Sequence, residues 1–318
     1  MPKVEKINNV RVRTPSERRN WLFDMKRDYD LYLLLLPGVL ALIIFKFLPM
    51  YGILIAFKEF NLFDGVWGSP WAGFKYFEEL FNDSKFYTVL GNTLLINFYK
   101  LVFQFPLPIM LALMINEARN LMFKRVTQTI TYLPHFLSWV IISAIFINVL
   151  SPLTGILKDV FAMLGMSNIM MIADERFFRS VLVASAAWKE TGWSSIIYLS
   201  AILAVDPQLY EAAKMDGAGK FRQIWHVTLP GIRSVIVFII MLRIGAALGN
   251  DLEQVLMFYS PFVYSVGDVI GTYVYRIGLG QFKYSFTTAL GLFQSLIGMG
   301  LIVGANYVSK KFGERSLW

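Results

Sequence analysis

Six apolar runs, each near 20 residues or longer, constrain this chain more than any other feature: Leu31–Phe57, Thr88–Ile115, Val126–Leu150, Phe178–Leu203, Ser234–Leu252 and Phe286–Val308. An α-helix rises about 1.5 Å per residue, so roughly 20 such residues cross the ~30 Å hydrocarbon core of a bilayer. Within lipid, every backbone N–H and C=O must be satisfied internally, which leaves the helix as the form for these runs. Composition agrees: 56% of residues are hydrophobic and 16% charged, against roughly 45–50% and 25% in a soluble domain. The expectation is an all-α integral membrane protein with six transmembrane helices inside residues 31–312.

Charge orients those helices. Formal net charge is +8, and the Lys and Arg residues gather in four places. These are residues 1–30, with Arg11, Arg13, Arg18, Arg19, Lys26 and Arg27; the Arg119, Lys124 and Arg125 loop; the Lys214, Lys220 and Arg222 loop; and the end, with Lys310, Lys311 and Arg315. Loops 58–87, 151–177 and 253–285 carry fewer. Positive loops stay inside, so both termini are expected in the cytoplasm, 1–30 and 313–318 as tails. The basic balance is thus explained by a membrane, with no nucleic-acid partner. The first apolar run follows a long polar stretch with no small-residue cleavage site, unlike a signal peptide.

The outer loops and the prolines add detail. Trp67, Trp71, Tyr76 and Tyr87 suit the membrane interface. Loop 151–177 holds a short amphipathic stretch, with Ile156, Val160, Phe161 and Leu164, expected at the outer interface. Loop 253–285, rich in Tyr and Gly, is expected to form a re-entrant or scoop-like segment. Pro49, Pro106, Pro108 and Pro134 predict bends, because proline removes a backbone donor.

Catalytic chemistry finds little to work with. There are no cysteines and only two histidines, His135 and His226, so thiolate sites and histidine clusters are excluded and no metal site is expected. GAGK at Gly217–Lys220 lacks the upstream glycine and the following Ser or Thr of a phosphate loop. No GxSxG, HExxH or CxxC occurs. No catalytic residue is assigned. A secondary carrier is an alternative, but no two similar halves are visible and few acids lie within the runs.

The most informative segment is DPQLYEAAKMDGAGKFRQIWHVTLP, residues 206–230, between the fourth and fifth runs on the expected cytoplasmic side. Asp206 is a good N-cap and Pro207 suits the first helical position. QLYEAAKM follows as strong helix formers, and Gly217 supplies the left-handed turn that ends the helix. A second short helix, Lys220 to Val227, should stop before Pro230. Two stubby helices carrying Ala212, Ala213, Met215 and Ala218 without a core of their own fit a partner's groove, or else an ordinary connector.

EAAKMDGA followed by IWHVTLP resembles the EAA coupling loop in permease subunits of bacterial ATP-binding-cassette importers, matching at Glu211, Ala212, Ala213, Asp216, Gly217, Ala218, Ile224, Leu229 and Pro230. LYLLLLPG, MYGILIAFKEFN, WKETGWSSIIYLSAI and YRIGLG resemble the sugar branch, so the likeness covers about residues 28 to 312. It implies a type I importer permease fold and import of oligosaccharides or polysaccharide fragments. A second permease, two ATPase subunits that bind the ATP and Mg, and an extracellular solute-binding protein are its implied partners, with no cofactor on this chain. Glu211 would meet a basic residue of the ATPase, Ala212 and Ala213 would allow close approach, and Gly217 the turn. A non-sugar cargo for the same kind of permease is the other alternative.

Polar residues within the runs mark a candidate path, since a charge in hydrocarbon is costly unless it faces a partner or a polar cavity. Trp188, Glu190, Trp193, Ser194 and Tyr198 fall in the fourth run; Arg243 falls in the fifth, with Asn250 and Glu253 near its outer end. The tryptophans suit sugar rings, and Glu190, Arg243 and Asn250 suit hydroxyls. The same residues admit blander roles: Lys189 and Glu190 snorkelling to the interface, the tryptophans as belt residues, Arg243 pairing with Glu190. Lys100, in the second run, has no role here beyond snorkelling.

Overall fold

The computed structural model describes residues 28–166, 169–249 and 252–311. The expected tails 1–30 and 313–318 fall almost wholly outside them, as does Asn250. Chain contacts divide the protein into two units, residues 1–52 and 53–318.

From the first unit, α1 (Tyr29–Leu42) runs on through a wide π turn, Ile43–Phe47, into a tight 3-10 segment, Leu48–Phe57, whose last five residues belong to the second. The 29 residues Tyr29–Phe57 are long and apolar enough to cross a membrane. A helix apolar on every side is a membrane span and not a surface helix. Leu33, Leu34 and Phe45 are all more than half exposed, as lipid-facing side chains are.

The second unit follows with α2 (Lys75–Asn82), α3 (Ser84–Tyr99), α4 (Pro106–Glu117), α5 (Leu121–Tyr132), α6 (Trp139–Val149), α7 (Glu175–Leu203), α8 (Pro207–Met215), α9 (Arg233–Gly245), α10 (Leu252–Phe258), α11 (Ile270–Val274) and α12 (Tyr284–Lys311). Among the described residues three helical stretches pass as spans by length and composition, five if two bent pairs each count once. The remaining long helix, α7, has 29 residues but also carries Arg176, Arg179, Lys189 and Glu190.

Two expected spans differ from single helices. The third run breaks between α5 and α6, which meet at 106° around Pro134 and Ser138. Pro134 removes a donor, and Ser138 restarts the helix by accepting the Ile141 N–H. The fifth run, expected to reach Leu252, ends as a helix at Gly245. Thirteen residues make about 20 Å, short of a ~30 Å core. α9 instead joins the helical segment Lys220–Gly231 across a 61° bend.

α7 is the centre of the packing. Phe178 and Leu182 pack with Ile96 of α3 and Val255 of α10, all buried. Tyr198 and Ile202, at its other end, pack with Ala112 of α4 and Ile232. The segment 253–285, expected as a re-entrant or scoop-like segment, packs against α3 of the bundle. Asn92 donates to the Ser265 and Asp268 carbonyls at 3.0 and 3.2 Å, and Thr93 accepts the Ile270 N–H at 2.9 Å. An ion pair with a buried carboxylate holds its centre: Asp268 accepts from Tyr259 at 2.9 Å and Thr272 at 2.8 Å and pairs with Arg276 at 2.5 Å, whose guanidinium lies 4.7 Å from the Tyr264 ring. In 151–177 the short helix is Lys158–Met163, and of the expected apolar face only Phe161 is buried.

Candidate functional site

The 206–230 segment projects as an elbow. Asp206 accepts the Gln208 N–H at 2.9 Å, so α8 starts at Pro207 with one of its free donors satisfied. Gly217 takes φ +75°, and the Ala218 N–H folds back to the Ala213 carbonyl at 2.9 Å, closing the helix as a left-handed glycine allows. The second arm departs from expectation. Lys220–Gln223 continues through a π turn, Ile224–Thr228, and helical backbone runs through Pro230 to Gly231. The wide turn lets Leu229 N–H reach the Ile224 carbonyl, and Pro230 then occupies the start of the next segment, where no donor is required.

The elbow is braced as well as exposed. Tyr210 Oη and Thr228 Oγ1 lie 3.0 Å apart, and Gln223 donates to the Ala218 carbonyl at 2.7 Å. Lys220 pairs with Glu117 at the end of α4. No residue of α8 is buried. Glu211, Ala212 and Asp216 are exposed, Ala213 and Ala218 half-buried; Pro230 is exposed and Leu229 packs against the Tyr198 and Ile232 cluster. Met215 (88% exposed), Phe221 (90%) and Trp225 (69%) leave large apolar groups standing free. Sequence reasoning missed Phe221 and Trp225, although two bulky aromatics among Lys220, Arg222 and His226 were a signal.

Between α3–α4, α7 and α9 lies a polar cavity of about 300 Å³. Asn97, Lys100, Gln104, Trp139, Glu190, Arg243 and Gln254 line it. A second cavity of about 320 Å³ takes Ser194, Tyr198 and Arg243. The structure thus brings together Glu190, Ser194, Tyr198 and Arg243. Trp188 instead sits 6.0 Å from Phe146, Trp193 and Glu253 are absent from both cavity walls, and Glu253 is exposed. Lys100 and Gln104 were overlooked as lining residues. They stand four apart in an apolar run and so share a helix face.

Both buried lysines overturn the snorkelling expectation. Lys189 is 8% exposed and donates to the His135 and Leu137 carbonyls at 2.7 and 2.5 Å. Those are carbonyls freed where the α5–α6 break interrupts the helix, so the ammonium pins the break to α7. Lys100 is 9% exposed and donates to Gln254 Oε1 at 2.7 Å; Gln254 in turn donates to the Leu182 carbonyl and Ser185 Oγ. Glu190 does not pair with Arg243. Its carboxylate lies 3.2 Å from His135 Nδ1, and the His135 ring stacks on Trp193 at 4.7 Å with 1° between planes.

A family model described as "Binding-protein-dependent transport system inner membrane component" matches residues 104–313. The chain belongs to that family. This permease is 44% identical to protein LplB of Bacillus subtilis (strain 168) over 318 residues, all of both chains. It is 43% identical to the polygalacturonan/rhamnogalacturonan transport system permease protein YteP of the same organism over 303 residues, 95% of this chain and 94% of that one. A chain in the crystal structure of a bacterial ABC transporter involved in the import of the acidic polysaccharide alginate superposes with TM-score 0.84 at 37% identity, covering 92% of this chain and 98% of that one. The permease is therefore a multi-pass, non-catalytic membrane subunit, and ATP hydrolysis belongs to separate ATPases.

Proposed function

We propose that this permease imports oligosaccharides or polysaccharide fragments by alternating access, driven through the 206–230 elbow. A second permease completes the path, two ATPase subunits bearing the ATP and Mg grip the two elbows, and an extracellular solute-binding protein delivers the sugar. Both termini lie in the cytoplasm on this reading, which rests on the placement of the Lys and Arg residues. Glu211, Ala212, Ala213, Asp216, Gly217, Ala218, Leu229 and Pro230 form the coupling surface. Met215, Phe221 and Trp225 supply apolar area to bury, which contributes more than the ~0–1 kcal/mol of an exposed ion pair at Glu211. Glu190, Ser194, Tyr198 and Arg243 line the sugar path.

The observation that carries this reading is mechanical. α8 follows α7 after only three intervening residues, and α7 itself forms one wall of the polar cavities. Force applied to the elbow therefore reaches the path through one helix. Gly217 tests it. A Cβ there meets nothing within 4 Å, so space is not the obstacle; φ +75° is, since a left-handed β-branched residue costs about 1–2 kcal/mol. Gly217→Val should leave the protein in the membrane while sugar uptake falls and ATP hydrolysis no longer follows delivery of loaded binding protein. Uptake at the normal rate would remove the elbow from the mechanism.

A further inference from the structure

α9 and α12 run antiparallel and touch where α9 ends. A Cβ on Gly245 would lie 2.1 Å from Ile302 Cγ1, and one on Gly298 3.2 Å from the Gly245 carbonyl oxygen. From that contact toward the start of α9 and the end of α12, a groove of about 470 Å³ lies between them. Val237, Met241 and Ile244 line it from α9, and Gly300, Gly304 and Val308 from α12; spacings of three and four keep each set on one helix face. Protein interiors are close-packed, so a gap of this size between two touching helices is room for something besides the protein's own side chains. The glycines point the same way. Glycine inside a helix is destabilising relative to alanine, yet a Cβ on Gly300 or Gly304 would meet nothing within 4 Å. No contact within the chain requires glycine at either place, and both leave the groove open.

Its shape and charge describe the occupant. From Arg233 to Ile244, at about 1.5 Å per residue, the groove runs ~16 Å, about half of the ~30 Å hydrocarbon core and so one leaflet deep. Spread over that length, its volume averages about 30 Å² in cross-section, well below that of an α-helix ~10–12 Å across. The walls are apolar and the mouth is cationic. Arg233 is itself a lining residue, Lys311 lies three residues beyond Val308 and so on the same face, and neither α9 nor α12 carries an Asp or Glu. A basic pocket between spans suits the headgroup of an anionic lipid. We propose that an anionic phospholipid of the cytoplasmic leaflet occupies the groove, with one acyl chain between α9 and α12 and its phosphate on Arg233 and Lys311. The choice of leaflet rests on the orientation in the import reading above. α9 continues from the second arm of the elbow across the 61° bend. The lipid therefore stands beside the helix that the elbow moves, and its headgroup charge bears on how freely that helix follows.

The test uses the assembled importer, with partner permease, ATPases and solute-binding protein, in nanodiscs of equal parts dioleoylphosphatidylglycerol and dioleoylphosphatidylcholine. Lipid retained after release into mild detergent is counted by native mass spectrometry. The wild type should keep one phosphatidylglycerol per copy of this chain that R233Q/K311Q does not. Its apparent affinity should fall about thirtyfold in that variant, at about fivefold for each basic group. G304L fills the groove without meeting protein atoms and should release the same lipid with both cations in place. ATP hydrolysis stimulated by the binding protein should rise with phosphatidylglycerol content in the wild type and stay flat in both variants. Equal retention of the two lipids by the wild type, or a lipid count unchanged in R233Q/K311Q or in G304L, overturns the proposal. Loss of the partner permease from G304L, with the lipid count of R233Q/K311Q unchanged, would seat a partner's helix there and overturn it too. R233Q/K311Q, at the exposed mouth, decides the matter if G304L does not assemble. Retention is read without transport, so failure of the import reading would abolish sugar uptake and leave the lipid count as it is.

Discussion

Gly192 of α7 lies hard against Thr131 of α5, and filling it should damage the permease. A Cβ at this position would lie 1.9 Å from the Thr131 carbonyl oxygen and 2.3 Å from its carbon. Carbon atoms are at ease about 3.5–4.0 Å apart, so the helices must separate by about 1.5 Å. The obstacle is backbone and cannot swing aside. The same movement would stretch the Lys189 bonds to the His135 and Leu137 carbonyls, which start at 2.7 and 2.5 Å one turn away. Overpacking costs about 1–3 kcal/mol, and a backbone clash that also loosens a brace belongs at the upper end. About 3 kcal/mol is roughly a hundredfold in an equilibrium constant, since each 1.4 kcal/mol is tenfold. Gly192→Ala should therefore lower the apparent melting temperature of the detergent-solubilised complex by about 5–10 °C. Gly91→Ala is the control: it lies within α3 with nothing within 4 Å, and should gain about 0.5–1 kcal/mol from helix propensity. If Gly192→Ala matched the wild type, or gained as Gly91→Ala does, the close crossing would be wrong.

Two further perturbations read separate parts of the bundle. Lys189→Met removes a charged donor from two carbonyls, at about 1.5–3 kcal/mol for such a bond; amide exchange through residues 137–142 should quicken while that in α12 does not. Asp268→Asn strips the counter-charge from a half-buried Arg276 and should destabilise by about 1–3 kcal/mol, and combining it with Arg276→Met in a double-mutant cycle should recover much of that loss in thermal stability.

Length and apolarity made the membrane class legible, because nothing but lipid accommodates the run from Leu31 to Phe57. Local backbone rules were equally readable where a few residues decide the geometry: Asp206 beneath α8, Gly217 at its end, Pro134 at the break. The misses share a cause. Lys100 and Lys189 resemble interfacial charges in a linear sequence, and only the fold shows that each ends on a specific acceptor in another element. The fifth run reads as one span because Gly245, Ala246 and Ala247 are apolar, yet its helix ends at Gly245, a residue so close to α12 that a Cβ there would lie 2.1 Å from Ile302 Cγ1. Path residues on one helix, such as Glu190 and Ser194, could be grouped by spacing. Gln104, in the second run, could not, and only its place on the wall of the cavity that Arg243 and Glu190 line reveals it.

α7, like α12, has no joint. The chain on either side yields at a π turn in 100–104, at the 106° corner and at the 61° bend, while the 29 residues from Glu175 to Leu203 continue unbroken. At about 1.5 Å per residue that is a rod of about 43 Å, and a tilt of about 5° about one end would sweep the other by ~4 Å, the height of a sugar ring. On the proposed import mechanism, such a stiff beam would convert a nudge at a protruding foot into a change of width at the far end, without storing the stroke in its own coils.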